Sequence, residues 1–192
     1  MGYNYFVELD DDYSTFRFRR ESHSELKSVY VKSLDKVFAA FFDFLDTAAS
    51  HEIYAAAMAQ GGDFIGGLES DIWKNEIKRK AMNVFFLSVD KRFDFIGRIN
   101  EDVNAYTRYG NVGALFFTIG KMCITQIQTQ KNKGGMTEQY LDVGTYVKSF
   151  YSVMYCPSFV KISCMGTSHR RIHHEINWKY AVPQIISEVY KK

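Results

Sequence analysis

The chain predicts an α/β sandwich, and three observations carry that expectation. Short apolar runs of strand length alternate with runs of helical spacing. Only 2 of 192 residues are proline, and no low-complexity linker interrupts the chain. The composition, 46% hydrophobic and 24% charged, is ordinary for a soluble globular protein. A chain of this length buries a real core, so residues 1–192 are expected to form one domain.

Taken in order, residues 3–9 read as a strand, because Tyr5-Phe6-Val7-Glu8-Leu9 is apolar and aromatic. Residues 10–28 are polar and charged and read as a loop or an irregular hairpin. From Val31 to Leu45 the apolar positions fall at 31, 34, 37, 38, 41, 42 and 45, which is a helix with one buried face. Ile53 to Met58 is a second strand, though its alanines also suit a helix. Gly61-Gly62 and Gly66-Gly67 bracket Asp63, marking backbone that needs positive φ or a close approach. Residues 82–89, 115–119 and 123–128 read as three strands. Residues 130–135 read as a loop, and Tyr146 to Tyr155 as a helix stopping before Pro157. Phe159 to Met165 is strand-like, and Pro183 suits the first turn of a terminal helix.

Several function classes find no support. The formal net charge of +2 does not single out nucleic acid. Three basic clusters (Arg17, Arg19, Arg20; Lys78, Arg79, Lys80; Arg170, Arg171) permit phosphate-backbone binding without requiring it. Three cysteines without a CxxC pair indicate neither a disulfide framework nor a Cys-rich zinc site. The first residues lack the basic and apolar regions of a signal peptide. The longest apolar run, Val37 to Phe44, is too short to span a bilayer.

Three clusters carry candidate chemistry. Asp10, Asp11 and Asp12 follow the first strand. Carboxylates packed this closely repel one another and are best tolerated beside a cation. In an extended segment Asp10 and Asp12 point to one side, where both reach one hard metal ion. A solvated turn is the alternative. Asn100-Glu101-Asp102 follows a partly apolar stretch. It reads either as a helix cap, with Asn100 capping and the acids favoured by the dipole, or as a general base beside an acceptor-binding carboxylate. His169, His173 and His174 crowd together with Arg170 and Arg171. One imidazole would complete a metal shell, and the arginines would hold a diphosphate. A lone zinc site on these histidines lacks a matching cysteine. The Gly61–Gly67 loop is neither a Walker loop nor GxGxxG, and a structural turn is its other reading.

The order of these elements resembles that of GT-A glycosyltransferases: a carboxylate metal motif, a glycine loop, a Glu-Asp motif and a late histidine. Several stretches are similar to the TET-associated glycosyltransferase domains of bacteriophages. They are Met58 to Gly67, Gly97 to Asn104, Gln128 to Thr137, Tyr146 to Tyr151 and His169 to His174. The resemblance implies a single mixed-sheet domain of GT-A type that moves a sugar from a nucleotide-sugar, such as a UDP-sugar, to a hydroxymethylated pyrimidine in DNA. It implies that Asp10, Asp12 and His173 or His174 hold Mn²⁺ or Mg²⁺, with Asp102 as base and Glu101 on the acceptor. Gly61, Gly62, Asp63, Gly66, Gly67, Lys131, Lys133 and Arg170 would line the donor. The setting would be the cytoplasm of a phage-infected cell, with no membrane partner.

One departure stands out. The metal motif lies at residue 10, whereas GT-A enzymes place it after a nucleotide-binding half. The chain is therefore expected to be N-terminally truncated and a poor transferase alone. An open edge around Tyr3–Val7 would be covered by another chain, by a second copy of this one or by a rearranged strand. A non-catalytic nucleic-acid- or protein-binding module is the rival expectation. A metal-dependent hydrolase is a second rival, but no nucleophile motif supports it.

Overall fold

A computed structural model of the chain describes residues 4–126, 138, 142–144, 146–166 and 170–182. They belong to two compact units, one drawn from Met1–Phe93 and Leu115–Thr129, the other from Asp94–Ala114 and Gln130–Lys192. The expected loop at 130–135 and the expected helix after Pro183 lie outside the described residues.

The first unit is a mixed sheet. Its strands are β1 (Tyr5–Glu8), β2 (Tyr13–Ser22), β3 (Glu25–Tyr30), β4 (Ile53–Gln60), β5 (Ile77–Lys78), β6 (Phe85–Ser88) and β7 (Leu115–Gln126). Their order is β1-β6-β4-β7-β2-β3, with β5 added to β7. β4 and β7 run parallel, and the other pairs are antiparallel. β1 is an edge strand, as the sequence suggested for its open side.

Helix α1 (Asp35–Thr47) lies on one face of this sheet. Its helical spacing turns Phe41 and Leu45 inward. The Phe41 ring stacks on fully buried Phe86 at 4.0 Å, while Phe38 and Phe42 meet the same ring edge-on at 5.1 and 5.8 Å. Met58, Val84, Met122 and Ile124 fill the space around this aromatic cluster. The opposite face carries two 3₁₀ turns, Gly61–Phe64 and Gly67–Glu69, and the short helix α2 (Asp71–Asn75). There Phe64 and Ile72 pack with Ala59, Cys123 and Leu26.

Two parts of this unit differ from the sequence expectation. Residues 13–30 form a long regular hairpin in place of a loop or irregular hairpin. Its two-residue turn, His23-Ser24, has φ of 53° and 59°, as a type I′ turn needs. Neither residue is the usual Gly or Asn, so the turn signal was absent. Leu115–Gln126 is one strand in place of two. Its register against β4 jumps from Met58↔Ile119 to Ala59↔Cys123, so Gly120-Lys121-Met122 bulge relative to β4. Gly120 donates its N–H to the Glu76 carbonyl at 2.6 Å, and a Cβ there would collide with the Ile72 carbonyl.

The second unit contains helices α3 (Glu101–Asn111) and α4 (Val147–Tyr155) and the antiparallel hairpin β8 (Val160–Met165) with β9 (Arg171–Ile176). β9 was not anticipated, because Arg171-Ile172-His173-His174 shows no alternation of apolar and polar residues. α4 packs on this hairpin, and the Trp178 ring stacks on Tyr106 of α3 at 6.1 Å.

Candidate functional site

In the first unit, polar side chains gather where the parallel strands β4 and β7 end. Gln60 pairs with Ile124 in register, so Gln60 and Gln126 come side by side. The Gln60 amide nitrogen Nε2 donates to Gln126 Oε1 at 3.3 Å, and Gln126 Nε2 donates to Asp12 Oδ2 at 2.9 Å. Asp12 Oδ1 is buried without a hydrogen-bond partner among the described residues. A buried carboxylate oxygen in that state is costly unless something else meets it. Asp10 and Asp11 are exposed, and Asp10 Oδ1 accepts the Asp11 N–H at 2.8 Å. Asp11 and Asp12 form a turn. The extended geometry that would put Asp10 and Asp12 on one side is therefore absent, and the turn sends Asp12 toward Gln126.

The glycine loop starts at the end of β4. Asp63 Oδ2 accepts the Gln60 N–H at 3.0 Å, closing a capping box, and its Oδ1 meets Lys80 Nζ at 2.5 Å and Lys78 Nζ at 3.8 Å. The Asp63 side chain is only 5% exposed, so its carboxylate holds the loop together from within. Gly66 and Gly67 have φ of 98° and 60°, the left-handed region expected for them. Gly61 and Gly62 have open space where a Cβ would stand, which leaves their backbone approachable.

The second unit brings the Glu-Asp motif to one of the histidines. Asn100 sits at the N-cap of α3, as the capping reading expects, but its side chain does not cap. It holds φ of 51°, and Nδ2 turns away from the helix to donate to the Lys148 carbonyl at 2.9 Å and Ser152 Oγ at 3.1 Å. The same nitrogen lies 3.4 Å from His174 Nδ1. Glu101 and Asp102 occupy the first turn of α3, where the helix dipole attracts carboxylates. Asp102 Oδ1 accepts the Val103 N–H at 2.7 Å. Burial pushes the Lys148 ammonium below its ordinary range, while Asp102 and then Glu101 pull it back up. Burial, and next the His173 charge, push His174 down to about 4, so its imidazole is neutral near pH 7. The His173 and His174 rings lie 4.3 Å apart. α3, α4 and β9 thus supply carboxylate, ammonium and imidazole to one locality.

The remaining expected residues are dispersed. Arg170 is exposed just ahead of β9, and Lys131, Lys133 and His169 lie outside the described residues. The expected metal set draws Asp10 and Asp12 from one unit and His173 or His174 from the other. Within either unit, among the described residues, three His, Cys, Asp or Glu side chains do not gather closely enough to bind a metal. Lys148, Gln60 and Gln126 were not singled out beforehand. Gln60 precedes the glycine pair directly, which was a usable signal. Lys148 and Gln126 offered none.

Open α/β sheets bind ligands at the carboxyl ends of their parallel strands, and the Gln60–Gln126–Asp12 network occupies such an end. The fold is thus a mixed-sheet α/β protein with polar groups gathered at that end. A family model for the TET-associated glycosyltransferases matches residues 1–135, and the chain belongs to that family. The match includes the aspartate cluster, the glycine loop and Asn100-Glu101-Asp102, and ends before Lys148 and the histidines. Neither the curated proteins nor the solved structures contain a match to the chain. Among the described residues no helix is long and apolar enough to cross a membrane.

Proposed function

We propose that the chain transfers a sugar from a nucleotide-sugar to the hydroxyl of a hydroxymethylated pyrimidine in DNA, on a fold of GT-A type. Membership in the TET-associated glycosyltransferase family carries this reading. In it, Asp102 takes the proton from the acceptor hydroxyl and Glu101 holds the acceptor. Lys148, beside both carboxylates, offsets their mutual repulsion. Neutral His174, steadied from Asn100, presents an imidazole without adding charge. The backbone of Gly61, Gly62, Gly66 and Gly67 lets the donor come close.

The orphaned Asp12 Oδ1 suits a hard divalent cation, and Asp10, exposed and with Oδ1 already accepting the Asp11 N–H, would have to turn toward it to add a second carboxylate. Mn²⁺ or Mg²⁺ bound there would neutralise charge developing on the leaving diphosphate. Two carboxylates make a weak site alone, so donor phosphate oxygens are needed to complete the shell.

A transfer assay with labelled nucleotide-sugars and hydroxymethylpyrimidine DNA tests the reading. Slow turnover is expected in the wild type alone, with a loss of about 100-fold or more in Asp102→Asn at unchanged donor binding. Full turnover in that variant would remove Asp102 as the base. DNA binding without turnover across a panel of donors would replace transfer with a binding role.

A further inference from the structure

We propose that the face of the β2–β3 hairpin bearing Arg17 and Arg19 docks the phosphate backbone of a nucleic-acid strand. The proposal rests on the acceptor reading above for the identity of the polyanion. Its geometry stands independently. Two residues apart on β2, the two arginines share one face, about 6.8 Å apart along the strand.

Each guanidinium lies over an aromatic ring. Arg17 lies over Tyr30 at 4.0 Å, with Nε donating to Thr15 Oγ1 and Nη1 to Ser28 Oγ, both at 3.4 Å. Arg19 lies over Phe64 at 4.7 Å, with Nε donating to Cys123 Sγ at 3.3 Å. Both are half-buried, and among the described residues neither meets a carboxylate. Three of the nearby acids are engaged by lysines. Asp63 is taken by Lys80 and Lys78, Glu69 by Lys74, and Glu25 by Lys27. Glu21 continues the same strand face and forms no ion pair with either arginine.

Two like charges, partly removed from water and lacking a counter-ion, are held at a cost that an anion would offset. The ring contacts and side-chain hydrogen bonds restrain each guanidinium before binding, so less freedom remains to be lost. The neutral hydroxyl and thiol contacts leave terminal nitrogens for a two-pronged grip on phosphate oxygens. The arginines follow one another along an exposed hairpin and do not converge on a single point. That layout suits a chain of phosphates better than one diphosphate. Tyr30 is 61% exposed and has Arg17 on only one side of its ring, which leaves the other for a stacked base.

The test uses the full chain, a labelled oligonucleotide without modified bases, and no sugar donor, with affinity measured across a salt series. Arg17→Gln with Arg19→Gln should weaken binding about tenfold or more and flatten the log–log salt dependence by about 1.5, as expected for two lost phosphate contacts. Lys36→Gln, on α1 across the sheet, should change neither. In the wild type, the oligonucleotide should also shield Arg17 and Arg19 from phenylglyoxal, which needs no folded variant. An unchanged salt slope, or no shielding by DNA, would overturn the proposal. So would shielding by a nucleoside diphosphate alone. Because no donor is present, a failed transfer assay leaves this outcome untouched.

Discussion

Replacing Asn100 tests whether the α3 start is built by this one side chain. Two effects combine in Asn100→Ala. The side-chain bonds to the Lys148 carbonyl and Ser152 Oγ are lost, at about 1 kcal/mol each. Alanine must also keep a left-handed backbone at φ near 51°, at about 1 kcal/mol beyond asparagine. The expected destabilisation is about 3 kcal/mol. Asn100→Gly loses the same bonds without the backbone cost, so it should lose only about 2 kcal/mol. Glycine would then outperform alanine, the reverse of their order inside a helix. Urea unfolding followed by Trp178 fluorescence in a Trp73→Phe background reads this unit, because Trp178 stacks on Tyr106 of α3. Alanine equal to or better than glycine would show that the left-handed turn at Asn100 does not constrain the protein. In the transfer assay, both variants should lower turnover more than donor affinity, since Glu101 and Asp102 are what Asn100 positions.

Acid should also weaken the fold through His174. Its folded value of about 4 lies below the ordinary 6.5, so the unfolded chain binds the proton more readily and stability falls as pH drops through that window. Burial is the larger cause and the His173 charge the smaller. Discounting for partial exposure, wild type should lose about 1 kcal/mol more than His174→Gln between pH 7.5 and 5; parallel denaturation midpoints would refute this. Gly120→Ala should cost about 1–3 kcal/mol, because the new methyl meets the Ile72 carbonyl and pushes α2 off the bulge; an unchanged melting temperature would contradict that packing. Calorimetry with Mn²⁺ and a nucleoside diphosphate should show weak binding that Asp12→Asn abolishes, and equal heats from both proteins would remove Asp12 from the site.

Much of the fold was legible because local pattern and burial agree. The helical spacing that ends at Leu45 survives as α1, displaced by a few residues at its start. The apolar runs at Ile53, Phe85 and Val160 all form strands. The hairpin at 13–30 was less legible because its two faces carry different chemistry. Phe16 and Phe18 face the α1 side, while Arg17 and Arg19 face the other. Alternation was present in the letters, but the arginines made it look solvated. β7 was read as two strands because Gly120 and Lys121 resemble a break. Tertiary packing decides otherwise: α2 and the Glu76 carbonyl occupy the space over Gly120 and carry the strand through its bulge.

The site was legible by residue type and much less by geometry. Asp63 shows the difference. An aspartate between two glycine pairs invites a ligand, yet its carboxylate closes the loop through Gln60 and Lys80. Asn100 shows it in the opposite direction. Asparagine at a helix start suggests a cap, yet its amide reaches 48 and 52 residues onward to Lys148 and Ser152. That span explains why Lys148 escaped notice, since nothing in Tyr146-Val147-Lys148-Ser149 signals a neighbouring carboxylate pair. Residue chemistry limits which reactions a site can run. The left-handed turn at Asn100 and the packing of α4 on β9 decide which of those residues meet. For this reason Asn100, which holds Asp102, Lys148 and His174 in one locality without itself being reactive, is the position where a single substitution should separate folding from chemistry most clearly.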